Sequence, residues 1–90
     1  MVQAEMDTLD FLDSGLVGVT GASQVLAQLT RSPRARSLNC GQNRLGDEGA
    51  TALVRGIAKL RAKGIGDKLS ELSLASNGLT DMALESIVLK

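Results

Sequence analysis

One leucine-rich phrase occurs three times in this chain of 90 residues. The three copies span residues 6–16, 35–45 and 69–79. Each copy has apolar residues at template positions 1, 4, 6 and 11 and a small polar residue at position 9. Tandem units with a period of about 20–50 residues are typical of solenoids, whose units pack on their neighbours. The repeat therefore predicts a solenoid with a surface that binds a ligand.

Each unit contains the pattern of a short strand followed by the pattern of a helix. Alternating apolar and polar residues predict strands near residues 8–11, 37–40 and 71–74. Apolar residues at helical spacing follow: Ala22, Val25, Leu26 and Leu29; Ala50, Leu53, Val54, Ile57 and Leu60; and Ala83, Leu84, Ile87 and Val88. The expected N-caps are Thr20, Asp47, and either Thr80 or Asp81. Gly64 is expected just after the second helix.

The phrase from Leu38 to Leu53 resembles leucine-rich repeats of the ribonuclease-inhibitor type. The resemblance covers residues 6–90, although Met6 and Phe11 replace leucines in the first copy. It implies an α/β fold, a short right-handed horseshoe segment with parallel strands on the concave face and helices on the convex face. We expect one domain over residues 1–90, with repeats at about 6–34, 35–68 and 69–90, as a fragment of a longer array.

The resemblance also implies a role for each position of the phrase. Leu38, Cys40, Leu72 and Leu74 are expected to point inward. Ser14, Asn43 and Asn77 are expected to form a structural ladder by hydrogen-bonding backbone in the turns. The expected partner-binding residues on the concave face are Asp10, Ser37, Asn39, Gly41, Glu71 and Ser73, with Thr8, Leu12 and Ala75 beside them. The implied function is a non-catalytic protein–protein interaction module.

The residue types present do not favour an enzyme. The chain has no histidine, which excludes histidine-based acid–base catalysis and histidine metal ligands. Asp7, Asp10 and Asp13 lack the glycine-centred loop and terminal glutamate of a calcium site, so a solvated surface is expected. Residues 15–22 are glycine-rich, but no Lys-Ser/Thr follows the last glycine as a phosphate-binding loop requires. We therefore predict no enzyme activity, no metal and no cofactor.

Charge and cysteine content restrict the partners and the compartment. The formal net charge is zero and Phe11 is the one aromatic residue, so neither nucleic acid nor membrane is an expected partner. The single cysteine fits the cytoplasm, or the nucleus, and no secretory signal is visible. Arg31, Arg34 and Arg36 are expected to lie in a solvated loop, with contact to phosphate or an acidic partner as the alternative.

Two further expectations concern regulation and assembly. Residues 36–45 also resemble a stretch of Ran GTPase-activating proteins, so a regulator of a small GTPase is the alternative function. The third unit reaches the end of the sequence within its predicted helix. Leu72, Leu74, Leu79, Ile87 and Val88 would then form an uncovered apolar edge. An open strand edge pairs readily with other chains, so self-association through this C-terminal edge is expected.

Overall fold

A computed structural model describes residues 8–80 and 86–88. The elements are β1 (Thr8–Asp10), α1 (Gly18–Arg31), β2 (Ser37–Asn39), α2 (Gly46–Ala62), β3 (Glu71–Ser73) and β4 (Ser86–Val88). The four strands form one sheet in the order β1-β2-β3-β4. The first three are parallel, and β4 is antiparallel to β3. The described chain is a small α/β domain in which a helix follows each of the first two strands.

The parallel strands align equivalent positions of the three phrases. Leu9 lies opposite Leu38, and Leu38 lies opposite Leu72, so the fourth template position forms a continuous row. Backbone hydrogen bonds continue beyond the strands, as where the Cys40 N–H donates to the Ser73 carbonyl at 2.9 Å. The prediction of three parallel strands near residues 8–11, 37–40 and 71–74 is confirmed.

The core is built from the inward positions of the strands and one stripe of each helix. The buried strand and turn residues are Leu9, Leu16, Ala35, Leu38, Cys40, Leu45, Leu69, Leu72, Leu74 and Leu79. The buried apolar helix residues are Ala22, Val25 and Leu29 in α1, and Ala50, Leu53 and Ile57 in α2. They form a single cluster, against which Leu26, Val54 and Leu60 pack partly buried. Burial of each large aliphatic side chain contributes roughly 1.5–3 kcal/mol.

The helix starts differ from the sequence prediction. Neither helix has a side-chain cap, and the predicted caps Thr20 and Asp47 lie inside the first turns, so both predictions are wrong. Both helices begin at a glycine with a left-handed φ, 57° at Gly18 and 66° at Gly46. The Gly18 N–H donates to the Arg44 carbonyl at 3.0 Å, and Gly46 makes the equivalent bond in the next unit. Backbone of the neighbouring unit therefore satisfies the first donor of each helix.

The end of α2 matches its prediction. Lys63 is the C-cap, and Gly64 follows it with a left-handed φ of 82°. The Gly64 N–H donates to the Arg61 carbonyl at 3.0 Å. Gly64 thus occupies the expected position after the helix, where a residue without Cβ adopts this φ at little cost.

The third unit departs from the repeat pattern. Residues 86–88 form β4, with Ile87 opposite Leu72, so the predicted helix is wrong at Ile87 and Val88. Residues 81–85, which include Asp81, Ala83 and Leu84, lie outside the described residues. The outer backbone groups of β3 need partners, and β-branched residues suit a strand that supplies them.

The predicted open edge at β3 is also wrong, for the same reason. Pairing with β4 occupies the outer side of β3. Leu72, Leu74 and Leu79, which were expected to be uncovered, are all buried. Self-association at this end remains a prediction, with β4 as the outermost strand of the described sheet.

Candidate functional site

The side chain of Asn43 joins the first unit to the second. Its carboxamide is buried, and Oδ1 accepts from the N–H groups of Ser14 and Leu16, both at 3.0 Å. Nδ2 donates to the carbonyls of Phe11 and Cys40, both at 2.9 Å. A short polar side chain in the turn thus satisfies backbone groups of two consecutive units.

Asn77 makes the same type of connection between the second and third units. Its Oδ1 accepts from the Leu45 N–H at 3.1 Å. Its Nδ2 donates to the Cys40 carbonyl at 2.8 Å and to the Leu74 carbonyl at 3.0 Å. The Cys40 carbonyl is therefore shared by Asn43 and Asn77, and the two amides form a continuous buried network.

Ser14 holds the equivalent position in the first unit but has a different environment. It is exposed, and its hydroxyl donates to the nearby Leu12 carbonyl at 3.3 Å. Its backbone N–H is bound by Asn43. Ser14 therefore donates its backbone N–H to the ladder, while the side chains that bond across units are those of Asn43 and Asn77.

Polar side chains alternate with the buried leucines along the parallel strands. We call the set Thr8, Asp10, Ser37, Asn39, Glu71 and Ser73 the strand face. Thr8, Asp10 and Glu71 are exposed, and the other three are half-buried. The hydroxyl groups of Thr8 and Ser37 are 2.9 Å apart and share a hydrogen bond between neighbouring strands. The structure thus brings five of the six predicted binding residues onto one surface with Thr8.

Two members of the strand face also fix the local backbone. The Asp10 carboxylate accepts from the Leu12 N–H at 3.0 Å. The Asn39 carboxamide accepts from the Gly41 N–H, also at 3.0 Å. Both bonds link a residue to the N–H two positions further on, a local arrangement that Asp and Asn favour. The sequence contained a signal for them, because both residues stand at template position 5.

Gly41 does not face solvent as predicted, because it is buried. A Cβ at this position would lie 3.1 Å from Leu12 Cδ1 and 3.2 Å from Asn39 Oδ1. Leu12 itself is 47% exposed beside the strand face. The absence of a side chain at Gly41 therefore leaves room for Leu12, which is the apolar part of this surface.

Asp47 has a role that the sequence did not indicate. Its carboxylate accepts from the Thr80 hydroxyl at 2.7 Å and from the Thr80 N–H at 3.1 Å. These bonds, the hydroxyl bond first, lower the pKa of the exposed Asp47 carboxyl below its ordinary value. Thr80, predicted as a helix cap, therefore connects the third turn to the start of α2.

Cys40 has the environment of a packing residue. It is fully buried, and this burial raises the pKa of its thiol to about 12. The thiolate is the reactive form of cysteine, so almost none is present near neutral pH. The inward position of Cys40 follows from the alternation in its strand.

Two features associated with other functions are lacking in the described part of the chain. Residues 8–80 and 86–88 contain no group of three or more Cys, Asp or Glu arranged to hold a metal ion. No helix there combines the length and apolar character needed to cross a membrane. Asp7, the first member of the acidic series, lies outside the described residues.

Searches with protein-family models, curated protein sequences and solved structures find no match to this chain.

Proposed function

We propose that the chain is a segment of a leucine-rich-repeat solenoid that binds a partner protein through the strand face and has no catalytic role. The carrying observation is the alternation along three parallel strands, whose inward leucines are buried and whose intervening polar residues are accessible. Such a surface offers hydroxyl, amide and carboxylate groups in fixed rows. The proposed compartment is the cytoplasm or the nucleus, where Cys40 would stay reduced.

Two observations support the solenoid part of the proposal. The phrases align in register in neighbouring strands. Asn43 and Asn77, at the same template position, bind the backbone of the preceding unit through both ends of their carboxamides. Hydrogen bonding between adjacent units is what a stack of repeats requires, because each unit contacts only its neighbours.

The strand face suits a protein ligand better than a small molecule. Its accessible groups are hydroxyl, amide and carboxylate groups on three-residue strands, whereas small-molecule sites are mostly apolar cavities. Leu12 adds an exposed apolar side chain at the margin of the polar rows. A polar surface with an apolar contact is consistent with a non-obligate protein interface.

The test is selection from a displayed peptide library against the immobilised chain, followed by mapping with matched variants. Ser73→Arg places a long cation on the strand face, and Ser23→Arg makes the same change on the exposed surface of α1. We expect Ser73→Arg to weaken the selected ligands at least about tenfold, since a hot-spot change costs roughly 1.4 kcal/mol or more.

The α1 variant, Ser23→Arg, should bind the selected ligands with the affinity of the unaltered chain. Circular dichroism of both variants checks that each one folds. Ligands that respond to Ser23→Arg and not to Ser73→Arg would place the binding surface on the helices and contradict the proposal.

A further inference from the structure

The basic residues of the described chain are concentrated near the amino-terminal ends of strands β2 and β3. We call residues 31–36 and 59–68 the basic end. They contain seven Lys or Arg residues and one carboxylate, Asp67, for a formal charge of +6. The other described residues contain two arginines, Arg44 and Arg55, against five carboxylates. The two parts therefore have opposite charge, although the chain as a whole is formally neutral.

Hydrogen bonds join the two segments of the basic end into one surface. Each segment runs from the last turn of a helix towards the next parallel strand, so the topology places both near the amino-terminal ends of β2 and β3. The Gly66 N–H donates to the Pro33 carbonyl at 3.2 Å, and the Ser70 N–H donates to the Arg36 carbonyl at 2.8 Å. The charges consequently lie on two helix ends and the loops that follow them, and these loops are held against each other.

Helix-end stabilisation accounts for only part of these cations. Arg31 lies in the last turn of α1, and Lys59 and Arg61 lie in the last turn of α2, where cations favour the negative end of the helix dipole. Arg61 also donates to the carbonyls of Gly66 and Leu69, at 3.2 and 2.5 Å. Lys63 is the C-cap of α2, and Arg34, Arg36 and Lys68 lie beyond the helix ends. All four are exposed.

We propose that the basic end binds an acidic polypeptide segment, at a second surface separate from the strand face. Lys and Arg side chains form charge-assisted hydrogen bonds with carboxylates. Single-stranded nucleic acid is bound largely by aromatic stacking, but Phe11 is the one aromatic residue and follows β1 at the opposite end. Proteins that bind membrane surfaces insert apolar side chains into them. The exposed large apolar side chains in the described chain, those of Leu12, Val17 and Val19, lie outside the basic end.

The test measures fluorescence anisotropy of a labelled peptide of alternating glutamate and glycine. We expect binding at about 0.01 M salt that weakens severalfold at about 0.15 M, as the screening length falls from about 30 to about 8 Å. Arg36→Gln with Lys68→Gln should lower affinity by about fourfold, taking roughly twofold for each exposed charge.

The matched control is Arg44→Gln with Arg55→Gln, which removes the same charge outside the basic end. It should change affinity by less than about 1.5-fold at the higher salt, because distant exposed charges are screened. If the first pair fails to fold by circular dichroism, Arg31→Gln with Lys63→Gln replaces it.

Three results would overturn the proposal. The first is an equal loss of peptide affinity in both pairs of variants, which would indicate that binding depends on net charge alone. The second is the absence of binding by the unaltered chain at low salt. The third is tighter binding to a DNA duplex, or to vesicles of phosphatidylserine and phosphatidylcholine, than to the peptide. A strand-face variant, Ser73→Arg, should still bind the peptide, so this test is independent of the strand-face proposal.

Discussion

Replacing Asn43 with alanine should destabilise the fold by an amount that follows from its hydrogen bonds. The buried Leu16 N–H would lose its acceptor. The exposed Ser14 N–H would gain water instead, and the Cys40 carbonyl would keep its bond from Asn77. The carbonyl of half-buried Phe11 would also lose its bond from Nδ2. The Leu16 N–H is thus the buried donor left unsatisfied, which costs about 1–3 kcal/mol in free energy of unfolding.

The matched control for this change is Asn39→Ala. Asn39 is half-buried, and its carboxamide accepts from the Gly41 N–H within the same unit. Its removal should cost less than about 1 kcal/mol, as expected for a partly solvated local bond. Urea titration followed by circular dichroism measures both variants. Equal losses of unfolding free energy in Asn43→Ala and Asn39→Ala would refute the proposal that the buried Asn43 amide stabilises the contact between units.

A third variant, Asn43→Asp, separates the acceptor function from the donor function. The introduced carboxylate could still accept from Leu16, but it would face the carbonyls of Phe11 and Cys40 without a donor. Burial and these carbonyls should raise its folded-state pKa above the unfolded value of about 3.9. The loss of stability caused by Asn43→Asp is therefore full at high pH, and it becomes smaller as pH drops through the folded-state pKa of the introduced carboxyl. A stability difference from the unaltered chain that stays constant between about pH 7 and pH 4 would contradict this reasoning.

Three other predictions concern separate parts of the molecule. Cys40 should react with a thiol reagent slowly in the native state and quickly in denaturant, because burial raises its pKa to about 12. Gly49→Ala should destabilise by roughly 1–3 kcal/mol in a urea titration, since its Cβ would lie 2.7 Å from the Gly18 carbonyl oxygen. Thr80→Val should raise the NMR-measured pKa of Asp47 towards its ordinary value, because it removes the hydroxyl bond.

Each of these predictions has a control or an outcome that would contradict it. Rapid labelling of native Cys40 would show an accessible thiolate. Gly56→Ala should cost less than the change at Gly49, because the Cβ would meet the half-buried side chain of Leu26 rather than backbone. Asp47 has a lowered folded-state pKa, so the stability it contributes is present above the unfolded pKa and is lost as pH falls through the folded pKa. Thr51→Val, at an exposed site on α2, should leave the Asp47 pKa unchanged.

The features predicted correctly from sequence are those with a local pattern. The inward positions of Leu38 and Leu72 follow from alternation within three residues, and the buried stripe of α2 follows from helical spacing. The turn position of Asn43 was likewise visible in the repeated phrase. Its carboxamide bonds locally to the Cys40 carbonyl within the turn, as well as to Phe11 of the preceding unit.

The features that sequence reasoning missed depend on contacts between distant residues. Asp47 was predicted as a cap, but the Gly49 N–H, which a cap at Asp47 could bind, donates to the Leu45 carbonyl, and the Asp47 carboxylate binds Thr80 of the third unit instead. Similarly, the helical spacing that includes Ile87 is overridden at β4, where backbone pairing with β3 is available. Burial of Gly41 depends on the side chain of Leu12 from the neighbouring unit.

The stacking of the repeated phrases in parallel register is tested most directly by NMR scalar couplings across hydrogen bonds. The structure predicts couplings from the Cys40 amide nitrogen to the Ser73 carbonyl carbon and from the Phe11 nitrogen to the Asn39 carbonyl carbon. Both bonds join a residue at template position 6 to one at position 5 of the next unit, one position apart, as the slanted bonds of parallel pairing require. Couplings that instead follow an antiparallel order between residues 37–40 and 71–74 would contradict the stacked-repeat account.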